Sequence, residues 1–226
     1  MIRLNAIVEG QTEEAFFHAV LREHLAQRGI FVAVRCVETS RDKKRHKVFR
    51  GGLLDYRRAR DDLVRWMKED QRPEAWFTTM FDLYALPEDF PGYDAGRKQP
   101  TPAERIAVIE EAFRQALNHP RFVPYVQLHE FETLLLADPS MFDCVFLEHA
   151  DGIGRLVALA AGYASPEEID DGATTAPSKR IINEIPDYAF RKASAGPVIA
   201  SKIGLAVLRR KCLHFHTWLE KLEALA

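Results

Sequence analysis

Residues 2–13 read Ile-Arg-Leu-Asn-Ala-Ile-Val-Glu-Gly-Gln-Thr-Glu, and this stretch decides the fold. Its first seven residues alternate in polarity and then become apolar, which is typical of a buried β-strand, and a glycine turn follows. Apolar residues then recur at helical spacing from Phe17 to Leu25. The sequence therefore predicts a strand, a tight turn and an amphipathic helix capped by Thr12, with Glu9 placed at the end of the strand.

The same alternation of strand and helix patterns continues through the first part of the chain. Three further strands are predicted at residues 30–37, 75–81 and 122–128, and helices at residues 53–68 and 102–118. Polar or glycine- and proline-rich segments between them predict loops at residues 39–52 and 84–100. This order favours an α/β fold with a mostly parallel central sheet of about four strands flanked by helices.

Beyond this region the pattern becomes purely helical. Helices are predicted around residues 152–162, 178–185 and 200–225, with polar loops between them and no further strand. We therefore expect a core over residues 1–138 and a helical C-terminal extension over residues 139–226, packed on the core.

Composition narrows the class of protein. The 226 residues are 47% hydrophobic and 28% charged, which is typical of a globular chain, and no apolar run reaches the roughly 18–20 residues that a membrane span needs. The chain starts directly with a strand pattern rather than a signal peptide, and its three cysteines are scattered. We therefore expect a soluble cytoplasmic protein with reduced thiols. Its net charge of -2 means that any nucleic acid must be bound by local basic patches.

Acidic side chains follow three of the predicted strands. Glu9, Asp82 and Glu130 each come directly after a strand or within two residues of it, and Glu132 follows. Because the carboxyl ends of parallel strands converge on one crevice, these carboxylates are candidate ligands for Mg²⁺ or Mn²⁺. Alternatively, each is a solvated loop acid. Glu130 and Glu132 cannot both point the same way along an extended backbone, and we favour Glu130.

Two basic segments are candidate nucleic-acid contacts. Residues 41–50 hold six Lys or Arg residues just before two glycines, a density that could neutralise several phosphates. The alternative for this segment is a solvated loop. The candidate residues are Lys43, Lys44, Arg45, Lys47 and Arg50 in this segment, and Lys179, Arg180, Lys192 and Lys202 in the C-terminal part.

Several short motifs together resemble a known family. They are Val-Glu-Gly-Gln-Thr-Glu at 8–13, Met-Phe-Asp-Leu-Tyr at 80–84, Asp-Phe-Pro-Gly at 89–92, Leu-His-Glu-Phe-Glu at 128–132, Ala-Pro-Ser-Lys-Arg-Ile at 176–181 and Ile-Gly-Leu at 203–205. The chain is similar to the bacterial family of unknown function numbered 4276. Its opening motif also resembles Toprim domains, the topoisomerase-primase fold that occurs in overcoming-lysogenization-defect nucleases.

The Toprim resemblance implies a metal site. In that superfamily a glutamate after the first strand and an Asp-x-Asp after a later strand coordinate Mg²⁺, which would assign Glu9 and Asp82 as ligands. Tyr84 stands where the second aspartate would be. The missing ligand then comes from Glu130 or Glu132, or the site is weaker than in active nucleases.

The resemblance also implies a function. We expect a Mg²⁺-dependent Toprim-like nuclease or phosphotransfer enzyme that acts on DNA or RNA, with Glu9, Asp82 and Glu130 as catalytic residues. It further implies a role in defence against phage or plasmids beside a partner ATPase. The alternative is a degenerate, non-catalytic Toprim-like module that binds nucleic acid or a partner, and Tyr84 favours it. The sequence leaves the oligomeric state open.

Overall fold

The computed structural model describes residues 1–42, 47–50, 53, 55–169 and 175–226. The described strands are β1 (Ile2–Val8), β2 (Ile30–Cys36), β3 (Glu38–Asp42), β4 (Lys47–Arg50), β5 (Ala75–Asp82), β6 (Phe122–Val123) and β7 (Val126–Gln127). The described α-helices are α1 (Gln11–Phe16), α2 (Arg22–Ala26), α3 (Tyr56–Glu69), α4 (Tyr93–Gly96), α5 (Pro102–Leu117), α6 (Glu132–Leu135), α7 (Ala150–Ala161), α8 (Pro177–Glu184), α9 (Tyr188–Ile203), α10 (Leu205–Lys211) and α11 (Leu213–Glu223).

The main sheet is parallel. Its strands lie in the order β2-β1-β5-β6, and β7 pairs with β5 just beyond β6. Strand β1 lies between two neighbours and is buried along most of its length, which explains its apolar end. The predicted α/β architecture, a mostly parallel sheet flanked by helices with a helical C-terminal part, is confirmed.

The two faces of the sheet are covered by different helices. On one face, residues of β1 share a hydrophobic cluster with the first helix and the C-terminal helices, where Phe16 and Phe17 meet Phe215 and Trp218 at ring distances of 6.1 and 5.9 Å. On the other face, alternate residues of β5 pack against α3 and α5. The C-terminal helices thus bury a large part of the sheet. The boundary at residue 138 stays a prediction.

The predicted fourth strand is two short strands. Pro124 has no N–H to donate to a ladder, and the amide of Tyr125 donates instead to Thr79 Oγ1 at 3.1 Å. The Thr79 hydroxyl is also 2.9 Å from the carbonyl of Tyr125. A side chain of the neighbouring strand therefore replaces the backbone pairing at the break between β6 and β7.

Two local predictions were wrong. The segment predicted as a loop over residues 39–52 contains an antiparallel pair, β3 with β4, because a ladder is built by the backbone and tolerates a charged sequence. Thr12 does not cap the first helix, since α1 begins at Gln11 after Gly10. The predicted helix is present and continues through a π-helical turn (Phe17–Leu21) into α2. Among the described helices, none is both long and apolar enough to cross a membrane.

Candidate functional site

Glu9 and Asp82 lie side by side at the carboxyl ends of two paired strands. The amide of Glu9 donates to the carbonyl of Met80 at 3.2 Å, which extends the pairing of β1 with β5 by one residue. The amide of Asp82 in turn donates to Glu9 Oε2 at 3.2 Å. The parallel register therefore brings together two acids that are 73 residues apart in the sequence.

Glu13 is a third acid at this edge, and the sequence analysis missed it as a site residue. It lies in the first turn of α1 and only 6% of its surface is exposed. Its Oε2 accepts a hydrogen bond from the amide of Gly10 at 2.8 Å. A glutamate four residues after Glu9, across a tight turn into a helix, is the sequence signal that could have found it, because such a turn folds the helix start back over the strand end.

Glu130 and Glu132 come from the segment after β7 and are both buried. Glu130 accepts hydrogen bonds from the amide of Ser178 and, at 3.1 Å, from the Ser178 hydroxyl, both at the start of α8. Glu132 Oε1 accepts from the Tyr188 hydroxyl at 3.2 Å and lies 3.2 Å from Lys192 Nζ, both on α9. The C-terminal helices therefore supply the partners of these two acids.

The five acids Glu9, Glu13, Asp82, Glu130 and Glu132, called here the acidic cluster, repel one another through a buried environment. Burial, followed by the charge of Glu9, raises the pKa of Glu13 to about 7. Burial and then the charges of Glu9 and Glu13 raise the pKa of Asp82 well above its usual value. Burial also raises the pKa values of Glu9 and Glu130, and neighbouring acids add to the rise. Both Glu130 and Glu132 act on Glu9 and Asp82, so both lie within electrostatic reach.

The acidic cluster fits a hard divalent cation in its chemistry. Asp82 Oδ1 is buried and has no hydrogen-bond partner among the described residues, and the pKa of this side chain is strongly raised. A cation would compensate the carboxylates and give that oxygen a ligand role. Within the described part of the chain, no three His, Cys, Asp or Glu side chains already converge on one point as metal ligands do.

His129 shapes the loop that carries Glu130. Its φ is 61°, a left-handed conformation that is uncommon outside glycine, and its carbonyl accepts from the amide of Tyr84 at 2.8 Å. Its Nε2 lies 2.9 Å from the carbonyl of Glu167, which makes Nε2 the donor of this hydrogen bond. These contacts assign His129 a positioning role. The Tyr84 side chain is 46% exposed, and it occupies the position where a second aspartate was expected.

The predicted basic contacts are dispersed. Lys43, Lys44 and Arg45 lie outside the described residues, and Lys47 and Arg50 belong to β4. Of the predicted C-terminal bases, Lys192 contacts the acidic cluster, through Glu132. The others are Lys179, exposed in the first turn of α8; Arg180, whose Nε donates to the carbonyl of Thr175 at 2.6 Å; and Lys202, exposed in the last turn of α9.

A helix break separates two of the C-terminal bases. The seven-residue spacing of Lys202 and Arg209 predicts that they share one face of a continuous helix, and this prediction is wrong because the helix breaks at Gly204, whose φ is 80°. Lys202 therefore ends α9, whereas Arg209 lies in α10 and forms a 2.7 Å ion pair with Glu223.

Comparisons with known proteins give a single kind of match. The family model described as a domain of unknown function (DUF4276) matches residues 8–223, which is nearly the whole chain. No curated protein and no solved structure gives a significant match.

Proposed function

The chain belongs to the DUF4276 family, and we propose that it is a Mg²⁺- or Mn²⁺-dependent, Toprim-like nuclease or phosphotransfer enzyme that acts on nucleic acid. The observation that carries the proposal is the acidic cluster. Its five carboxylates lie near the strand ends, four of them (Glu9, Glu13, Asp82 and Glu130) have raised pKa values, and one buried oxygen of Asp82 has no hydrogen-bond partner among the described residues. A purely structural cluster would be expected to pair its acids with bases or amides throughout.

Within this proposal the acids have distinct roles. Glu9 and Asp82 would hold the cation, because they stand together at the ends of β1 and β5. Glu13 lies beside them, whereas Glu130 and Glu132 are already hydrogen-bonded to Ser178 and Tyr188 and would contribute mainly charge. A bound divalent cation would supply a water of lowered pKa and stabilise negative charge on a phosphodiester.

Lys192 gives the site a positive group beside the acids. Its ammonium lies 3.2 Å from Glu132 Oε1, and its side chain is 36% exposed. It can therefore reach a phosphate that approaches from solvent while its stem stays fixed by α9. The Ser178 hydroxyl and Lys179 stand at the start of α8 next to Glu130. These residues would position the backbone of a nucleic acid, whose phosphates dominate such affinities.

A second candidate function rests on a specific observation as well. Tyr84 replaces the second aspartate of the Toprim pattern, and in the described residues no three acids or histidines already converge as ligands. These features favour a degenerate module that binds nucleic acid or a partner without cleaving. The role in phage or plasmid defence and the partner ATPase stay predictions from the resemblance.

One set of variants separates the two functions. The purified protein would be incubated with supercoiled plasmid, single-stranded DNA and RNA, each with Mg²⁺, Mn²⁺ or EDTA. We expect metal-dependent cleavage that falls at least about 100-fold in Asp82→Asn and Glu9→Gln, because each removes a charge that holds the cation. Glu88→Gln is the matched control, since Glu88 is an exposed carboxylate in the loop after β5 and should leave the rate unchanged.

The alternative outcomes are equally definite. Cleavage that survives both Asp82→Asn and Glu9→Gln would sink the site assignment. An absence of cleavage on all three substrates, together with no Mn²⁺ binding by calorimetry, would favour the non-catalytic module. In that case Lys192→Gln and Lys179→Gln should still weaken binding to single-stranded DNA at low salt.

A further inference from the structure

Strand β2 forms an open edge of the main sheet. It pairs with β1 along its full seven residues, and no other described strand pairs with its outer side. Its sequence, Ile-Phe-Val-Ala-Val-Arg-Cys, contains no proline, lysine or acid. Natural proteins usually protect such edges with charges, prolines or bulges, because an open edge is a template for strand pairing.

The backbone groups of β2 divide into two sets. At its two ends, the carbonyl of Gly29 and the amide of Val37 are hydrogen-bonded to β1, at 3.0 and 2.9 Å. Because backbone groups alternate along a strand, odd-numbered residues face β1 and even-numbered residues face outward. The amides and carbonyls of Val32 and Val34 therefore point away from the sheet.

The one charged residue of β2 does not protect this edge. The Arg35 guanidinium lies 4.0 Å from the centre of the Trp66 ring and 2.8 Å from Glu69 Oε2, both on α3. Its charge is thus neutralised over the face of the sheet. Phe31, on the same face of β2, is 48% exposed, and Ala33 between them is exposed too.

We propose that β2 binds a second copy of this chain, with the two β2 strands antiparallel and a two-fold axis at Ala33. The two sheets would join into one continuous sheet through the outward amides and carbonyls of Val32 and Val34. This inference does not depend on the proposed enzymatic function, since β2 contributes no residue of the acidic cluster.

The strand is self-complementary about that axis, which is why we name a second copy as the occupant. The residues around the axis read Val32-Ala33-Val34, so each valine meets the other valine as a hydrogen-bonded pair. Ala33 meets its own counterpart in a non-hydrogen-bonded pair, where side chains are closest, and a small residue fits there. Phe31 falls opposite the partner's Arg35, whose charge is already neutralised. Arginine beside an aromatic ring is a favourable contact.

The buried area of this contact limits the affinity of the dimer. Seven residues span only about 23 Å of strand, and a stable interface needs about 800 Å² from each partner. The contact must therefore include flanking surface from α2, which packs against β2, and from α3, whose Trp66 and Glu69 contact Arg35. We expect a dimer whose population depends on protein concentration rather than a permanent one.

A charge exchange at the axis tests the geometry. Sedimentation equilibrium would be measured from about 1 to about 200 µM for the wild type, Ala33→Lys, Ala33→Glu and an equimolar mixture of the two variants. Each variant alone places like charges across the axis and should weaken dimerisation at least about 10-fold. The mixture should restore the dimer, because only a two-fold axis at this residue sets Lys against Glu.

Two controls test whether a change in dimerisation arises at the edge of β2. Ala33→Ser is small and neutral and should dimerise like the wild type, and urea denaturation of every variant shows that the monomer is folded. A wild type that stays monomeric over the whole range would overturn the proposal. So would folded charge variants that dimerise as well as the wild type, or a mixture that remains monomeric.

Discussion

Two buried acidic regions of this protein differ in how their charges are compensated. In the acidic cluster at the strand ends, burial and the charges of neighbouring acids raise the pKa values of Glu9, Glu13 and Asp82. In the second region, Glu110, Glu167 and His214 form what we call the His214 network. There Glu167 accepts hydrogen bonds from the amides of His214 and Phe215 at 3.0 to 3.2 Å. Glu110 Oε1 accepts from the amide of Val126 at 2.9 Å and lies 3.1 Å from His214 Nε2.

The difference teaches that burial alone does not mark a functional acid. The His214 network holds the start of α11 against β7 and α5. In the folded protein its carboxylates accept hydrogen bonds from backbone amides. In the acidic cluster, Asp82 Oδ1 has no hydrogen-bond donor within the part of the chain that the structure describes. Uncompensated buried charge costs stability, so its presence points to a cation or substrate that compensates it.

The largest expected effect is the change in stability of the metal-free protein with pH. The pKa of Glu13 lies at about 7 in the folded state, above its usual 4.5, so the folded state binds protons more tightly than the unfolded state. Stability is therefore greatest at low pH and falls as the pH rises through about 7, by up to about 3 kcal/mol for this group. We expect urea denaturation between about pH 5 and pH 8 to show this fall.

Two additions identify its source. Glu13→Gln should reduce the fall, because Glu13 then no longer titrates, and Mg²⁺ at the upper pH should restore stability in the wild type but less in Asp82→Asn. A profile that is flat in the wild type would show that the acidic cluster is already compensated. A fall that Glu13→Gln does not change would contradict the raised pKa assigned to Glu13.

The His214 network should respond to charge removal in the opposite way. Glu167→Ala leaves the amides of His214 and the fully buried Phe215 without an acceptor, and we expect a loss of about 2–3 kcal/mol in unfolding free energy. Glu168→Ala, at the exposed neighbouring position, is the control and should change little. By contrast, Asp82→Asn should stabilise the metal-free protein. If Glu167→Ala and Asp82→Asn changed the unfolding free energy in the same direction, the distinction between the two regions would be contradicted.

The smallest expected effect concerns His214 itself. Burial lowers its pKa, but the hydrogen bond and charge of Glu110, with the charge of Glu167, outweigh burial and raise it. The stability that protonated His214 contributes through these contacts is therefore present at low pH and is lost as the pH rises through the raised pKa. We expect His214→Gln to lower the unfolding free energy by less than about 1 kcal/mol near pH 6 and by a smaller amount at pH 8. Thermal or urea denaturation measures both values. A larger loss at the higher pH would contradict the assigned protonation.

The candidate site was predictable only where it depends on strand ends. Glu9 and Asp82 follow the buried strands β1 and β5, and the parallel order of those strands makes their meeting a consequence of the pattern. Ser178, Tyr188 and Lys192 contact Glu130 and Glu132 across 48 to 60 residues, and no periodicity encodes such contacts. The split of the fourth strand also depended on a partner, the Thr79 hydroxyl that bonds Tyr125.

The sequence by itself determined the alternation of strands and helices, the parallel sheet and the acids at its carboxyl edge. These follow from local polarity patterns, because each element must bury one apolar face. Only the tertiary structure decided that five acids share one buried region, that α8 and α9 supply partners for two of them, and that β2 remains an open edge. Such outcomes depend on how distant helices pack over the sheet, since desolvation and compensation of charge arise only from neighbours brought together by folding.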